Sequence, residues 1–297
     1  MIMEAYSTAR IASDEDRQVR IAAAIAAPRG RATRRVLIWG ATIVVLLYAA
    51  WICELIGPKF FVGLPKLGGA LAMMLVPSGF QYLPEFLWAL LETVSMAFLG
   101  TLLGAVFAIP LAMLCSRITL PVRILQFGFR RFSDSLRSLD HLIWALIFVR
   151  AIGLGPLAGI LAIALVDLGT LSKLYSEAFD NSSKGPVEGI RASGGSWLDG
   201  VRFGILPQVL PNMLSATLYM WESNTRSATI LGIVGAGGIG YQLADRLRVY
   251  EFGEASLIII LVIGAVALID ALSQFLRRRL IAGRAERDLP EATPLAV

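Results

Sequence analysis

Residues 185–211 read GPVEGIRASGGSWLDGVRFGILPQVLP and connect two long apolar blocks of the chain. Pro186 suits the first turn of a helix, because the N–H that proline lacks would have no partner there. Apolar or small residues then recur at every third or fourth position, which predicts one apolar face along a helix. These positions are Val187, Ile190, Gly194, Trp197 and Val201.

A break in the middle of this segment predicts two short helices. Gly194 and Gly195 interrupt the first helix. Ser196 precedes Asp199 by three residues, which is the spacing of a capping box at the start of a second helix. The turn between the two helices is therefore expected at the glycine pair.

The second helix is expected to end at Gly204, because Pro207 and Pro211 oppose its continuation. The segment is then a helix–turn–helix with an exposed apolar and aromatic element. Such an element either packs beneath its own helical bundle or docks to a partner. These residues alone leave both interpretations open.

The composition indicates a membrane protein. The chain has 297 residues, is 56% hydrophobic and only 16% charged, and has a mean hydropathy of +0.69. Soluble domains contain about 25% charged residues. The apolar residues are gathered into blocks that approach the ~20 residues needed to cross a bilayer. We therefore expect an all-α polytopic fold with about six transmembrane helices. The expected spans cover residues 36–55, 86–114, 139–152, 155–179, 213–234 and 255–276.

Arginine and lysine are concentrated in alternate connections between these spans, and such residues accumulate on the cytoplasmic side. The distribution predicts a multi-pass protein of the plasma (inner) membrane with both termini in the cytoplasm. It also explains the net charge of +5 without invoking nucleic acid. We divide the chain into a cytoplasmic N-terminal segment (1–34), a transmembrane domain (35–280) that contains the connecting segment 181–211, and a cytoplasmic tail (281–297).

The sequence predicts no metal site, no disulfide framework and no catalytic site. The chain has two cysteines and one histidine, His141, which predicts neither a disulfide framework nor a metal site. His141 is interpreted as a hydrogen-bonded residue at a helix end. No catalytic residues and no phosphate-binding G-x-x-x-x-G-K-[ST] loop are present, so any ATP and Mg²⁺ would be bound by a partner chain.

Polar residues interrupt the fifth expected span. Glu222 and Arg226 are four residues apart and can pair on one helical face. With Asn224, they are candidates to line a translocation path, and Arg226 would guide an anion. The alternative is a buried pair that locks helix packing. Arg150 is a second candidate for the path, although its side chain could instead extend to the lipid headgroups.

The glycine-rich stretch GAGGIG at residues 235–240 follows a span, so the nucleotide-binding interpretation of such a pattern does not apply. Gly235, Gly237 and Gly238 are predicted to form a gate or a site of close helix packing. Glu92, Thr93 and Ser95 are also expected to face inward.

The connecting segment resembles the signature loop of ABC importer permeases, written E-A-A, three residues, G, nine residues, I-x-L-P. Glu188, Gly194, Leu206 and Pro207 match its fixed points, whereas Gly189, Ile190 and Gly204 depart from it. From residue 142 to residue 280 the chain is similar to the permeases of phosphonate importers. The segments that carry the similarity include LIWALIFVRAIGLGPLAGILAIA (142–164), KLYSEAFD (173–180) and WESNTRSATILGIVGAGGIG (221–240).

This resemblance implies a membrane subunit that pairs with a second permease copy, binds an ATP-binding subunit dimer below and receives substrate from an extracytoplasmic binding protein. The substrate would be phosphonate, phosphite or phosphate. The connecting segment would couple to the ATPase. The coupling residues would be Glu188, Gly194, Gly195, Ser196, Trp197, Leu198, Asp199, Leu206 and Pro207.

Three rival functions remain at this level. An importer for amino acids or another small solute would share the fold and differ in its binding protein. A membrane-embedded enzyme would need a nucleophile with a base, or a metal cluster, at membrane depth. A passive channel would leave the signature loop unexplained.

Overall fold

The computed structural model describes residues 30–55, 57–120 and 122–285. Most of the predicted N-terminal segment and all of the tail from residue 286 onward lie outside the described residues. The chain divides into two units at Leu71. The first unit contains α1 (Gly30–Ile52) and most of α2 (Pro58–Met74). Between residues 34 and 52 the side chains of α1 are exposed at every position except Ala50, as in a helix that contacts lipid.

The second unit is built from helices, and no strand occurs among the described residues. A 3₁₀ turn (Phe80–Tyr82) precedes α3. The helices are α3 (Leu83–Cys115), α4 (Arg123–Leu136), α5 (His141–Ile152), α6 (Pro156–Asp180), α7 (Gly185–Ala192), α8 (Trp197–Asp199), α9 (Leu206–Leu231), α10 (Gly238–Arg248) and α11 (Phe252–Ala285). The all-α fold class predicted from sequence is confirmed.

Four helical segments are long and apolar enough to cross a membrane: Arg34–Ile52, Phe80–Cys115, Pro156–Asp180 and Phe252–Arg279. They match the first, second, fourth and sixth expected spans. The fifth corresponds to a bent pair, in which the helix that ends at Ala236 and α10 meet at 60°. The bend lies within the glycine-rich stretch at residues 235–240, where Gly235 and Gly237 adopt positive φ values of 104° and 83°.

The third expected span corresponds to α5, which is apolar but short. Twelve residues of α5 rise about 18 Å, less than the ~30 Å hydrocarbon core. The helix before it, α4, contacts Ser172 and Asp180 in the second half of α6, and α5 leads through a short turn to the start of α6. The two short helices therefore run in succession beside α6. Helix α4 was not predicted from the sequence because the charged residues in this helix lower the local hydropathy.

Small residues allow α3 and α6 to approach each other closely. A Cβ atom on Gly100 would lie 2.7 Å from Cβ of Ile163, and one on Gly104 would lie 2.6 Å from Cβ of Asp167. In lipid there is no hydrophobic driving force between helices, so close packing of this kind drives their association instead. The α3–α6 pair forms the centre of the unit, and α9 packs against both helices.

Candidate functional site

The connecting segment folds as the predicted helix–turn–helix. Pro186 occupies the first turn of α7, and the helix ends at Ala192. Gly194 has φ +87°, a left-handed value that glycine adopts without strain. A Cβ atom on Gly195 would lie 2.6 Å from Cγ2 of Ile190. Both glycines are therefore required by the geometry of the turn.

A capping box fixes the start of the second helix, as predicted. The backbone N–H of Ser196 donates to Oδ2 of Asp199 at 2.9 Å, and the backbone N–H of Asp199 donates to Oγ of Ser196 at 3.3 Å. Both side chains are tied to the backbone of the turn, and this local arrangement satisfies N–H groups that a helix start leaves without partners.

The prediction that the second helix ends at Gly204 is wrong. Residues 200–205 form a π-helical turn that continues directly into α9. Pro207 lies in the first turn of α9, where its missing N–H has little cost, and Pro211 lies inside the helix. Gly204 instead allows close packing, since a Cβ atom there would lie 3.0 Å from Cγ2 of Val187.

Apolar side chains of the segment divide between two surfaces. Val187 and Val201 pack against a buried cluster that includes Phe179 and Ile205. On the opposite side, Trp197, Leu198 and Phe203 are 43%, 65% and 61% exposed. The carboxylate-bearing Glu188 is also exposed. The segment is thus anchored to its own bundle on one face, and it presents an aromatic and aliphatic element on the other.

Gln208 and Asp180, which the sequence analysis did not single out, hold the base of this segment. The side chain of Gln208 accepts from the N–H of Ser183 at 2.9 Å and donates to its carbonyl at 3.2 Å. Asp180 accepts hydrogen bonds from Ser116 Oγ at 2.7 Å, from the Arg117 N–H at 2.7 Å and from Arg130 Nη2 at 2.8 Å. The ends of α3 and α6 and the helix α4 therefore meet where the connecting segment begins.

Among the polar path candidates of α9, Arg226 is exposed, whereas Glu222 and Asn224 are buried. Glu222 and Arg226 form the predicted ion pair, with Nη2 and Oε1 3.8 Å apart. A closer partner of Glu222 is Arg277 of α11, whose Nη2 donates to Oε2 at 2.8 Å. The Arg226 side chain remains 51% exposed. The accessible cation among the path candidates of α9 is therefore Arg226.

Asn224, the third path candidate, is not exposed like Arg226. It is fully buried, and its Nδ2 donates to Oγ1 of Thr101 at 2.8 Å and to Oδ2 of Asp167 at 2.6 Å. Its contacts join α9 to α3 and α6.

Two other predicted positions lie at the ends of α5. Arg150 is exposed in the last turn of α5, where a cation is favoured by the helix dipole. His141 lies at the first turn, and its buried Nε2 atom has no hydrogen-bond partner. His141 thus lies at a helix end as expected, but the expected hydrogen bond is absent at Nε2. Asp140 caps the helix by accepting from the N–H of Leu142 at 2.9 Å.

The glycine-rich turn shows the predicted close packing. A Cβ atom on Gly235 would collide with Leu154, and one on Gly238 with Thr93. One on Gly237 would lie 2.8 Å from Oε1 of Glu92. Oγ1 of Thr93 also accepts from the N–H of Ile239 at 2.8 Å. The turn is therefore fixed against α3, with Glu92 and Thr93 facing it, whereas Ser95 is exposed.

Residues 100–284 match the protein family described as binding-protein-dependent transport system inner membrane component. The chain is 36% identical to the phosphite transport system permease protein PtxC of Stutzerimonas stutzeri over 236 residues. This alignment covers 79% of this chain and 85% of PtxC. The chain is also 37% identical to the phosphate-import permease protein PhnE of Mycolicibacterium smegmatis over 208 residues. This alignment covers 70% of this chain and 39% of that protein.

Solved structures show the same fold. A chain of the MetNI methionine ABC transporter, in an inward-facing conformation, superimposes with a TM-score of 0.60 at 22% identity over 68% of this chain and 99% of that chain. A chain of a bacterial ABC transporter involved in the import of alginate gives a TM-score of 0.57 at 16% identity over 82% of this chain and 98% of that chain.

Proposed function

The chain belongs to the family of binding-protein-dependent transport system inner membrane components, as an ABC importer permease of the phosphonate type, and we propose that it translocates a phosphorus oxyanion. The observation that supports a role as the membrane subunit of an ATP-driven importer is the helix–turn–helix at residues 185–205, which is anchored on one face and exposed on the other. A subunit that receives mechanical work from a motor needs such an element.

The substrate class follows from the relatives. PtxC is a phosphite permease and PhnE of M. smegmatis a phosphate-import permease by name, and both share more than a third of their aligned residues with this chain. The likeness to the methionine transporter is at 22% identity and supports the fold alone. We therefore favour phosphonate, phosphite or phosphate over an amino acid.

The charge distribution supports an orientation with the helix–turn–helix in the cytoplasm. Arginine and lysine are frequent in the connections that hold α4 and α7, and in the last part of α11. Positively charged residues are retained on the cytoplasmic side of membranes. Both termini would then also be cytoplasmic, and the turn at residues 235–238 would lie on the outer side.

The exposed side of the helix–turn–helix would dock into a separate ATP-binding subunit. Trp197, Leu198 and Phe203 supply an apolar contact, and Glu188 supplies a charge beside it. ATP and Mg²⁺ would be held by that partner, whose closure would move this element as a rigid body. Because the base of the segment is tied to α3, α4 and α6 through Asp180, its displacement would be transmitted to the spanning helices.

An anion path would use the exposed guanidinium of Arg226. Glu222 is neutralised mainly by Arg277, so Arg226 is left to offer positive charge to a passing oxyanion. Arg150, exposed at the end of α5, would provide a second cationic point on the outer side. A second permease copy would complete the path, and a loaded binding protein would deliver substrate from outside.

The test is reconstitution of the chain with its ATP-binding subunit in lipid vesicles. We expect ATP hydrolysis to rise when binding protein loaded with phosphonate, phosphite or phosphate is added outside, and radiolabelled substrate to accumulate inside. Binding protein loaded with methionine serves as the comparison. Stimulation by methionine with no response to the three phosphorus oxyanions would overturn the substrate assignment.

A further inference from the structure

Two neighbouring clefts lie at the start of the helix–turn–helix and share one arginine. Their volumes are about 590 Å³ and about 260 Å³. The arginines of the larger cleft are Arg117, Arg123 and Arg130. The charged side chains of the smaller cleft are Arg117, Lys184, Glu188 and Arg191. Because Arg117 lines both clefts, they adjoin each other, and we define the basic surface as the cations Arg117, Arg123, Lys184 and Arg191.

The basic surface has positive charge that the chain does not compensate. Arg130 is not part of it, because its guanidinium pairs with Asp180 at 2.8 Å. Within the described residues, no carboxylate lies at ion-pair distance from the four cations of the basic surface, and all four side chains are exposed. In the same part of the chain, Glu188 is the only carboxylate that lines either cleft. Four accessible cations therefore face a single carboxylate.

Hydrogen bonds fix the backbone that carries two of these cations. The N–H of Arg117 donates to Oδ1 of Asp180 at 2.7 Å. The N–H of Ser183, the residue before Lys184, donates to the side chain of Gln208 at 2.9 Å. A partner that pairs with these cations meets side chains on a positioned backbone, which lowers the entropy that binding costs.

The distribution of the cations fits an extended acidic surface better than a small anion. The larger cleft contains Arg117 and Arg123, and the smaller contains Arg117, Lys184 and Arg191. A single phosphate bound in one cleft would leave the cations of the other without a counter-charge. Carboxylates that are spread over the surface of a protein can reach both clefts at once.

The smaller cleft is next to the exposed part of the helix–turn–helix. Glu188 and Arg191 belong to α7, which has eight residues, rises about 12 Å and leads through the glycine turn to Trp197 and Leu198. A standard protein interface covers about 800 Å² on each partner, which is a patch about 30 Å across. A protein that docks on Trp197 and Leu198 with such an interface therefore also reaches α7 and the smaller cleft.

We propose that the basic surface binds a carboxylate-rich surface of the ATP-binding subunit, as a second contact beside Trp197, Leu198 and Phe203. The inference rests on the proposed function and adds the chemistry that this partner must present. Charge pairs at the edge of an interface select the correct partner and speed its association, and salt screens them. The negative charge of Glu188 among the cations also distinguishes one docking register from another.

Binding of the ATP-binding subunit to the permease in lipid nanodiscs tests the basic surface. The Arg117→Gln/Lys184→Gln variant is expected to bind about three- to tenfold more weakly at low salt, and this difference should largely disappear above about 0.5 M salt. The substitution at Arg117 keeps the backbone N–H that Asp180 accepts. The Arg278→Gln/Arg279→Gln control removes the same charge from the last part of α11 and is expected to bind as the wild type does.

Two results of this measurement would overturn the proposal. One is unchanged affinity in the Arg117→Gln/Lys184→Gln variant, and the other is an equal loss in the Arg278→Gln/Arg279→Gln control. The Arg117→Lys/Lys184→Arg variant guards against a folding artefact, because it keeps both charges and should keep most of the binding.

Carbodiimide coupling identifies the chemical group opposite Lys184, because it joins a lysine amine to a carboxylate that touches it. We expect mass spectrometry of the digested complex to show Lys184 linked to an aspartate or glutamate of the ATP-binding subunit. Lys173, whose Nζ lies 4.0 Å from Oε1 of Glu177, is the internal control for the reaction. A link between Lys173 and Glu177 with no link from Lys184 to the ATP-binding subunit would contradict the proposal.

A lipid or a free anion on the basic surface would give different results. Binding of inorganic phosphate to the permease alone, lost in the Arg117→Gln/Lys184→Gln variant, would assign the surface to the free anion. Retention of phosphatidylglycerol in native mass spectrometry, lost in the same variant while the affinity for the ATP-binding subunit is unchanged, would assign it to lipid. Either result would overturn the proposal.

These measurements need no transported substrate. A complex that imports phosphorus oxyanions but does not depend on the basic surface removes this inference alone. A complex that depends on the basic surface but does not import phosphorus oxyanions removes the proposed substrate alone. The absence of any complex with an ATP-binding subunit would remove the proposed coupling and, with it, this inference.

Discussion

Nη2 of Arg277 lies 2.8 Å from Oε2 of Glu222, closer than the 3.8 Å between Arg226 and the same carboxylate. Arg277 is 24% exposed and Arg226 51% exposed. The two arginines therefore have different tasks. Arg277 neutralises Glu222 and links α11 to α9, whereas Arg226 keeps an accessible positive charge.

Replacing Arg226 with alanine is expected to abolish uptake while the complex still assembles. The variant loses the cation that would guide an oxyanion, but Glu222 retains Arg277 as its partner. Uptake into vesicles and size-exclusion chromatography of the complex measure the two effects. Arg226→Lys, which keeps the charge, should retain part of the uptake. Loss of assembly in Arg226→Ala would instead assign Arg226 to helix packing.

Replacing Arg277 with glutamine should act on stability first. Glu222 is 11% exposed, and removal of its close partner leaves a poorly solvated carboxylate. Breaking a buried pair in this way costs about 3–5 kcal/mol when solvent is fully excluded, and we expect about 1–3 kcal/mol at this partial exposure. Thermal unfolding in detergent measures the loss. Arg278→Gln is the matched control, and an equal shift in both variants would contradict the assignment.

The sequence predicted local features of the site and missed contacts between distant residues. The capping box of Ser196 and Asp199 and the glycine turn at Gly194 depend on neighbours within a few positions, so residue spacing was sufficient. Arg277 lies 55 residues from Glu222, and helical periodicity does not show which residue of another helix lies opposite. The same limit hid the bonds from Asn224 to Thr101 and Asp167.

Two wrong predictions, a helix end at Gly204 and the absence of helix α4, have a different origin. Pro207 and Gly204 predicted a helix end because both residues disfavour the interior of a regular α-helix. The π-helical turn at residues 200–205 shifts the hydrogen-bond pattern there, and Pro207 becomes a first-turn residue. Helix α4 was missed for another reason: its arginines lie among the apolar residues and lower the hydropathy, so a search for continuous apolar blocks does not detect it.

Gly194→Trp is expected to uncouple ATP hydrolysis from transport. A side chain at φ +87° strains the backbone by about 1–2 kcal/mol and reorients the turn that presents Trp197. Membrane insertion should persist, since the spans are untouched. Gly189→Ala is the matched control, because a Cβ atom there meets nothing within 4 Å and alanine favours the helix. Normal uptake per ATP in Gly194→Trp would show that the segment does not couple.

Asp180→Ala is expected to weaken coupling without removing the docking surface. The carboxylate accepts three hydrogen bonds that join the ends of α3 and α6 to α4, next to the connecting segment. Its loss lets the segment move independently of the spanning helices. ATPase activity should remain, whereas uptake per ATP should fall several-fold. Glu177→Ala, on the exposed part of the same helix, is the control. Unchanged uptake per ATP in Asp180→Ala would rule out this route.

Asp167 is expected to tolerate asparagine far better than leucine. It is fully buried in α6, and its Oδ2 accepts from Asn224, which also donates to Thr101. Asparagine keeps an acceptor oxygen of the same shape, so we expect a loss of less than about 1 kcal/mol. Leucine removes the acceptor and leaves the buried amide of Asn224 short of one partner, which costs about 1–3 kcal/mol.

Thermal unfolding and uptake, measured on both variants, decide the role of Asp167. Stability close to that of the wild type for Asp167→Asn, with a clear loss for Asp167→Leu, identifies the cluster as a hydrogen-bonded junction of α3, α6 and α9. Equal damage by both substitutions would show that the second carboxylate oxygen is needed. That oxygen, Oδ1, has no partner in this conformation, so such a result would point to a partner acquired in another state of the transport cycle.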